Sequence, residues 1–424
     1  MGGMHPAGTE SLAPELERRT ELAPVLGAIT ALGEPYAGVY LVGGTVRGLL
    51  LDARSVDLDI AVEGGDAIAF ARALAGSLGG RMTAHGAFGT ASVRHGEGGR
   101  VDVVTARREF YRAPGVLPAV EPASIREDLL RRDFTVNAMA VSLKAADRGR
   151  LVDPFGGRAD LAAGTIRVLH DASFADDPTR IFRAVRYESR YGFRIDEHTA
   201  ALANNSIELG LVGDLSPARL RDELLALLRE ETVRHSVERL AELGVLGAVH
   251  PGVRADGETL ALLERIAELG STCAPEAPTW RLRLEALVHR VPSEELPGWL
   301  GRLKLQRRDA EQIAGAVAVA PGLVERLGAG GLEPAEIVAL AEPYAPDAPL
   351  LALAIAELEP LRAYFGRLRS VRLEVTGADL AELGLGESPR VGEILGELRR
   401  RKLNGAIDGR ASELAAARVL IDAP

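Results

Sequence analysis

The hydrophobic period of this chain changes once. Up to about residue 170, short apolar or alternating runs that read as strands are separated by helical stretches. From Ala175 almost to the end the period is helical. Val39 to Val42 is an apolar strand that breaks at Gly43-Gly44, and an amphipathic helix should follow through Leu51. Asp57 to Val62 alternates charged and apolar residues, as a strand with one polar face does. Gly64-Gly65 opens an alanine-rich helix to about Leu78. Arg81 to Arg94, with His85-Gly86 and Gly89, reads as a hairpin, and Arg100 to Thr105 as another strand. Glu109 to Pro122 holds Gly115, Pro114, Pro118 and Pro122 and reads as a mobile loop. Ile125 to Ala140 reads as helix, turn and strand. After Pro154 a short helix precedes a strand at Thr165 to Leu169. The expected fold class is α+β, a small mixed α/β head followed by an all-helical remainder.

Length and composition narrow the setting. A chain of 424 residues suggests two to four domains. The single cysteine, Cys273, excludes an internal disulfide and fits a reducing, cytoplasmic location. Met1 to Thr20 has no apolar run, so neither a secretory signal nor a transit peptide is expected. No apolar stretch of membrane-spanning length lacks a charge, so no membrane partner is expected either. A net charge of −10 argues mildly against nucleic acid. Arginines nevertheless cluster, at Arg107-Arg108, Arg131-Arg132, along Arg180, Arg183, Arg186 and Arg190, and at Arg399 to Arg401. Compositional bias is one reading of these clusters, and bidentate phosphate contact is the other. The histidines are scattered without metal-ligand spacing.

Asp57-Leu58-Asp59 is the chemically pointed element. On a strand, residues i and i+2 share a face, so the two carboxylates stand side by side. Two such anions repel unless a cation sits between them. Magnesium suits the position, because it is hard and binds one or two carboxylates together with substrate phosphates. Asp102, on a neighbouring strand, is a candidate third ligand for two-metal phosphoryl chemistry. Gly43-Gly44, between a strand and a helix, offers backbone N–H groups to phosphate, and Arg47 offers a cation one turn later. A chance D-x-D on an exposed strand is the plain alternative.

The run Leu41-Val42-Gly43-Gly44-Thr45-Val46-Arg47, followed by Asp57-Leu58-Asp59, resembles the first motif of the class II CCA-adding tRNA nucleotidyltransferases and bacterial poly(A) polymerases, within the polymerase-beta-like superfamily. The resemblance continues at Arg131 to Ala138, Asp153 to Gly157, Asp176 to Tyr187, Thr376 to Leu380 and Gly392 to Leu395. It implies that Asp57 and Asp59 bind Mg2+ and that Asp102 is the third catalytic acid. Arg131, Asp133 and Asn137 would hold the ribose and triphosphate. Asp177, Arg180 and Arg183 would recognise the base. The implied partners are a tRNA 3′ end, ATP and CTP, with no protein partner. The implied layout is an N-terminal extension (1–30), a five-stranded head (31–170), a neck with the base-recognition helix (171–230), a body (231–330) and an RNA-binding tail (331–424) that includes Arg399 to Lys402. By the same resemblance, the loop after Arg107, with Arg107 and Arg112, serves the passage from C to A addition. One departure stands out: Gly48 occupies the place where the family usually carries aspartate.

The implied reaction is template-independent addition of C and A. Addition of A alone, of CC alone, or of poly(A) remain alternatives, and a catalytically inactive RNA-binding scaffold is a reading of another class. Cytosine and adenine both offer an amino donor beside a ring-nitrogen acceptor. Asp177 can accept from the amino group while Arg180 donates to the nitrogen, a pairing that discriminates by about 1–3 kcal/mol per base. Their i, i+3 spacing puts both on one helix face, and it equally allows an intrahelical salt bridge, worth only about 0.3–0.5 kcal/mol.

Overall fold

A computed structural model describes residues 11–53, 57–85, 89–96, 98–110 and 119–422. The chain divides into two compact units, Met1–Arg219 and Leu220–Pro424.

The first unit is built on a mixed sheet. Its strands are β1 (Gly38–Val42), β2 (Asp57–Glu63), β3 (Arg81–His85), β4 (Thr90–His95), β5 (Gly99–Thr105), then, after a separate ribbon of β6 (Arg107–Phe110) and β7 (Ala119–Pro122), β8 (Ala140–Ser142) and β9 (Leu151–Val152). The sheet order is β3-β4-β5-β2-β1-β8-β9. Only β2 and β5 run parallel; the other neighbours are antiparallel. One face is apolar: Leu58, Ile60, Val62, Val101 and Val103 are all buried. Helix α1 (Ala13–Arg18) leads into α2 (Ala23–Gly33), which packs on β1 and on the later helix α4 (Ala67–Ser77). Asp66 caps α4 by accepting the Ile68 N–H at 2.8 Å, and α4 brings Phe70 and Leu74 down on β3, β4 and β5. Between them α3 (Gly44–Leu50) leaves the end of β1.

The opposite face carries Tyr40, Val42 and Ala61, covered by Ile125 and Leu129 of α5 (Ile125–Leu130). Ser124 and Glu127 form a capping box that fixes where α5 begins. This small apolar cluster leaves the Asp57 end of β2 open. After α6 (Gly157–Ala163) and α7 (Ser173–Asp176), α8 (Thr179–Tyr191) buries Ile181, Phe182 and Val185 and turns its arginines the other way. Leu220–Pro424 is helical throughout its described residues, with a C-terminal cluster of Val375, Leu380, Ile394, Leu398 and Ala417. Among the described residues, no single helix is long and apolar enough to cross a membrane.

Three expectations need correction. The sheet has seven strands rather than five; β9 is only two residues long and carries no readable period. The strand expected at Thr165 to Leu169 shrinks to Thr165–Ile166, which pairs in parallel with Arg194–Ile195 outside the main sheet. The segment read as a loop from Glu109 to Pro122 is flanked by a ribbon, with Arg107 opposite Pro122 and Glu109 opposite Val120. A two-stranded ribbon has only edges, so Pro122 costs it little. Arg112, Pro114, Gly115 and Pro118 lie outside the described residues.

Candidate active site

The parallel register of β2 and β5 sets Asp59 opposite Asp102 and Asp57 opposite Arg100. Side chains paired in this way share a face, so three carboxylates and a guanidinium stand on the open side of the sheet. The Asp59 N–H donates to Thr45 Oγ1 at 2.9 Å, which ties the start of α3 to the carboxylate strand. Asp102 is held on two sides: Ser92 Oγ donates to Oδ1 at 2.5 Å, and Arg100 Nη2 meets Oδ2 at 2.8 Å. Desolvation in the cleft, and then the Asp102 carboxylate, push the Asp59 carboxyl above its ordinary range; Arg132 and Arg100 pull it back in part. That crowding of hard oxygen donors suits Mg2+. Among the described residues no three His, Cys, Asp or Glu side chains already converge as a cation site. Asp102 is engaged by Arg100 and Ser92, and Asp59 stands between it and Asp57, two residues back on the same strand.

Beside the carboxylates lies a cavity of about 520 Å³, within the range of small-ligand sites. Gly43, Gly44, Asp59, Asp102, Arg131, Asp133, Asn137, Asp177, Arg180 and Arg183 line it. Asp57 and Arg47, also expected at the site, do not. Asp57 lines an adjoining cleft, and Arg47 is buried beneath. Gly43 has a φ of 61°, and a Cβ there would lie 2.6 Å from Arg132 Nη1. A Cβ on Gly48, by contrast, would meet only Ala53, at 4.0 Å, so no clash forces that departure from aspartate.

A chain of hydrogen bonds runs under the cavity floor. Arg47 lies over the neighbouring rings of Tyr187 and Tyr191, 5.0 and 4.9 Å from their centroids, and donates to Tyr191 OH at 2.9 Å. Its other nitrogen donates to Asn137 Oδ1. Asn137 Nδ2 donates to Asp133 Oδ1 at 2.8 Å, and Arg183 donates to Asp133 Oδ2. Burial pushes the Asp133 carboxyl up, yet Arg183, Asn137 and the Phe134 N–H together hold it below its ordinary value. Arg47 therefore supports the residues that line the site from below.

Asp177 is the extended residue between α7 and α8, with φ −143° and ψ 91°. It accepts from Thr179 N at 3.0 Å and pairs with Arg219 at 2.6 Å. Arg180 donates to Ser173 Oγ at 2.7 Å and to the Arg131 carbonyl at 2.8 Å. The two residues neither share a helix face nor form the salt bridge weighed for them; they meet only as walls of one cavity.

Sequence reasoning gave no role to Asp128, Glu109 and Tyr187, and named Arg132 only as half of an arginine doublet. The buried Asp128 carboxylate takes Arg131 on Oδ1 at 2.8 Å and Arg132 on Oδ2 at 2.9 Å. Burial raises its carboxyl, but the two arginines hold it below the ordinary range. Glu109 takes Arg131 at 2.9 Å and Arg107 at 3.1 Å. The signal for Asp128 was present as an i, i+3, i+4 spacing to the arginine doublet. In the second unit, Arg399 pairs with Glu342, Arg400 and Arg401 with Glu397, and Lys402 with Glu413, so the basic run at 399–402 is already matched by carboxylates.

Comparison with known proteins places this geometry. Residues 39–167 match the poly A polymerase head domain, and 192–256 match the probable RNA and SrmB-binding site of polymerase A. An A-adding tRNA nucleotidyltransferase of Geobacter sulfurreducens is 36% identical over 91% of this chain and 45% of its own length. The chain spans about half the length of the A-adding relatives it matches. A CC-adding tRNA nucleotidyltransferase of Deinococcus radiodurans is 32% identical over 92% of this chain and 91% of its own. The Thermotoga maritima CCA-adding enzyme complexed with tRNA superposes with a TM-score of 0.80 at 29% identity, covering 97% of this chain and 99% of that one. End-to-end coverage by a relative above 30% identity shows that this chain belongs to the family of tRNA nucleotidyltransferases built on the poly(A) polymerase head domain.

Proposed function

We propose that this chain adds C and A to the 3′ end of tRNA without a nucleic-acid template, taking them from CTP and ATP and releasing pyrophosphate. The observation that carries the reading is the junction of a carboxylate row with a cavity walled by arginines and one buried aspartate network. Asp57 and Asp59 would hold Mg2+, whose chemistry there is to activate the primer hydroxyl and neutralise the departing pyrophosphate. Arg131 and Arg132, fixed by Asp128, face the triphosphate. Asn137 and Asp133, locked from below by Arg47, fix the ribose. Asp177 accepts from the base amino group, and the N–H donors of Arg180 left over from Ser173 and Arg131 serve the ring nitrogen. No covalent intermediate is needed, because positioning and electrostatics supply the rate.

The layout proposed with it is a head to residue 170, a neck to 230, a body to 330 and a tail beyond, acting in the cytosol. A second reading, addition of A alone, draws support from the A-adding relative that is 36% identical over 91% of this chain. One experiment separates the readings. The protein, with Mg2+, is incubated with each single nucleotide and with tRNA ending at the discriminator base, at −C or at −CC. Full CCA addition extends all three primers with CTP and ATP together. An A-specialist extends only −CC, and only with ATP. No extension of any RNA sinks the activity altogether.

A further inference from the structure

A second cleft adjoins the first on the same face of the sheet, and apart from Asp57 the reaction above leaves its lining unused. Asp57, Arg81, Arg94, His95 and Arg100 line it, with glycine backbone between them. The strand registers make it a row. Arg81 of β3 stands opposite Arg94 of β4, Arg94 opposite Arg100 of β5, and Arg100 opposite Asp57 of β2. Two residues along, Asp102 and Asp59 stand side by side with Ser92 beside Asp102, a parallel row about 7 Å away.

Three cations side by side on neighbouring strands repel one another, and like charges directly opposite destabilise a sheet. Arg100 has Asp102 as its counter-charge. Arg81 and Arg94 are exposed, and among the described residues no carboxylate pairs with either. The cleft is also kept low. A Cβ on Gly80 would lie 2.4 Å from the Arg94 carbonyl, and one on Gly99 would lie 2.5 Å from the His95 ring. Backbone lies along the row where side chains would otherwise stand.

A triphosphate is not the anion this row fits. Arg131 and Arg132 already face the nucleotide cavity, and the carboxylates separate that cavity from the arginine row. In-line phosphoryl transfer brings the attacking strand and the nucleotide to the carboxylates from different sides. We propose that Arg81, Arg94 and Arg100 bind the phosphodiester backbone of the RNA strand just behind its 3′ end, and so position the primer at Asp57 and Asp59. This rests on the function proposed above.

The test uses the full chain with Arg81→Ala and Arg94→Ala combined, and a second variant with lysine at both positions. Both sites are exposed and the alanine variant relieves like-charge repulsion, so melting temperatures at or above wild type are expected. In steady state, KM for tRNA should rise about tenfold in the alanine variant, with kcat and the nucleotide KM unchanged. The log–log salt dependence of binding should flatten by about 1.4, the loss of two single-strand phosphate contacts. The lysine variant should recover most of both effects. An unchanged tRNA KM and salt slope would overturn the proposal, as would a defect confined to the nucleotide KM. Fluorescence anisotropy with a short single-stranded RNA needs no chemistry and keeps the two claims apart. A wild-type protein that extends nothing yet loses RNA affinity on Arg81/Arg94 replacement sinks the activity and sustains the row. Equal affinity in wild type and variant sinks the row, whether or not RNA is extended.

Discussion

Asp133 and Arg183, 50 positions apart, meet on a single carboxylate oxygen: Nε at 2.9 Å and Nη2 at 2.7 Å both donate to Asp133 Oδ2. The contact ties the segment after α5 to α8. Asp133 is buried and Arg183 is partly open, so the pair lies between the surface and interior regimes. Asp133→Ala should cost about 2–3 kcal/mol by chemical denaturation, because Arg183 and Asn137 both lose their acceptor. The acid dependence follows from the depressed Asp133 carboxyl. Its contribution is present above the ordinary aspartate range and is lost as pH falls from that range through the lower folded value. Denaturation midpoints measured down this acid window should fall less steeply in the variant than in wild type.

Asp177 and Arg219 form the next testable pair, at 2.6 Å. Asp177→Ala should relax base choice while nucleotide incorporation persists. Discrimination against G and U should drop by about 1–3 kcal/mol, read as ratios of kcat/KM for the four nucleotides. A variant that keeps full selectivity removes Asp177 from base recognition. Arg219→Ala is expected to do less, since Thr179 still orients the carboxylate from N and Oγ1.

Arg47 illustrates what a sequence conceals. A cation one turn past a glycine turn reads as a phosphate ligand. Here it lies over two adjacent tyrosine rings and is hydrogen-bonded to Tyr191, 144 positions away. Nothing local to residues 41–51 announces those rings. The D-x-D strand was legible because a period of two alone puts Asp57 and Asp59 on one face. Their registry with Arg100 and Asp102 was not, because it depends on which strand inserts beside β2. Asp177 was misplaced despite an available signal. It precedes Pro178, and a residue before proline is pushed out of the helical region. The strands 107–110 and 119–122 fell within or beside a stretch read as loop because proline weighs against a central strand, a rule that does not bind Pro122 on an edge.

Arg47→Lys tests the buried support directly. Lysine keeps the charge but loses the planar fork that reaches Asn137 and Tyr191 together, and it stacks less well. A loss of about 2 kcal/mol in stability is expected. The nucleotide KM should rise with it, because Asn137 loses the donor that orients it. Loss of stability with an unchanged nucleotide KM would confine Arg47 to packing.

In the helical unit, Glu285 offers a prediction of opposite pH sign to Asp133. It is fully buried and meets Arg281 only at 3.9 Å. Arg281 is instead drawn to Asp347, at 3.1 Å, and to Asp309, at 3.2 Å. Burial, and then the Asp347 carboxylate, push the Glu285 carboxyl well above its ordinary range. An acid whose folded pKa is raised binds its proton more tightly in the native state. Its presence therefore subtracts stability as pH climbs above the ordinary glutamate range. Glu285→Gln keeps the shape and removes the titration, and its amide N–H groups can donate to Asp347. The variant should gain about 1–2 kcal/mol over wild type near pH 8 and gain least near pH 4. Melting curves across this range decide the matter: a difference that does not grow with pH means that Glu285 is already neutralised by Arg281 in the folded chain.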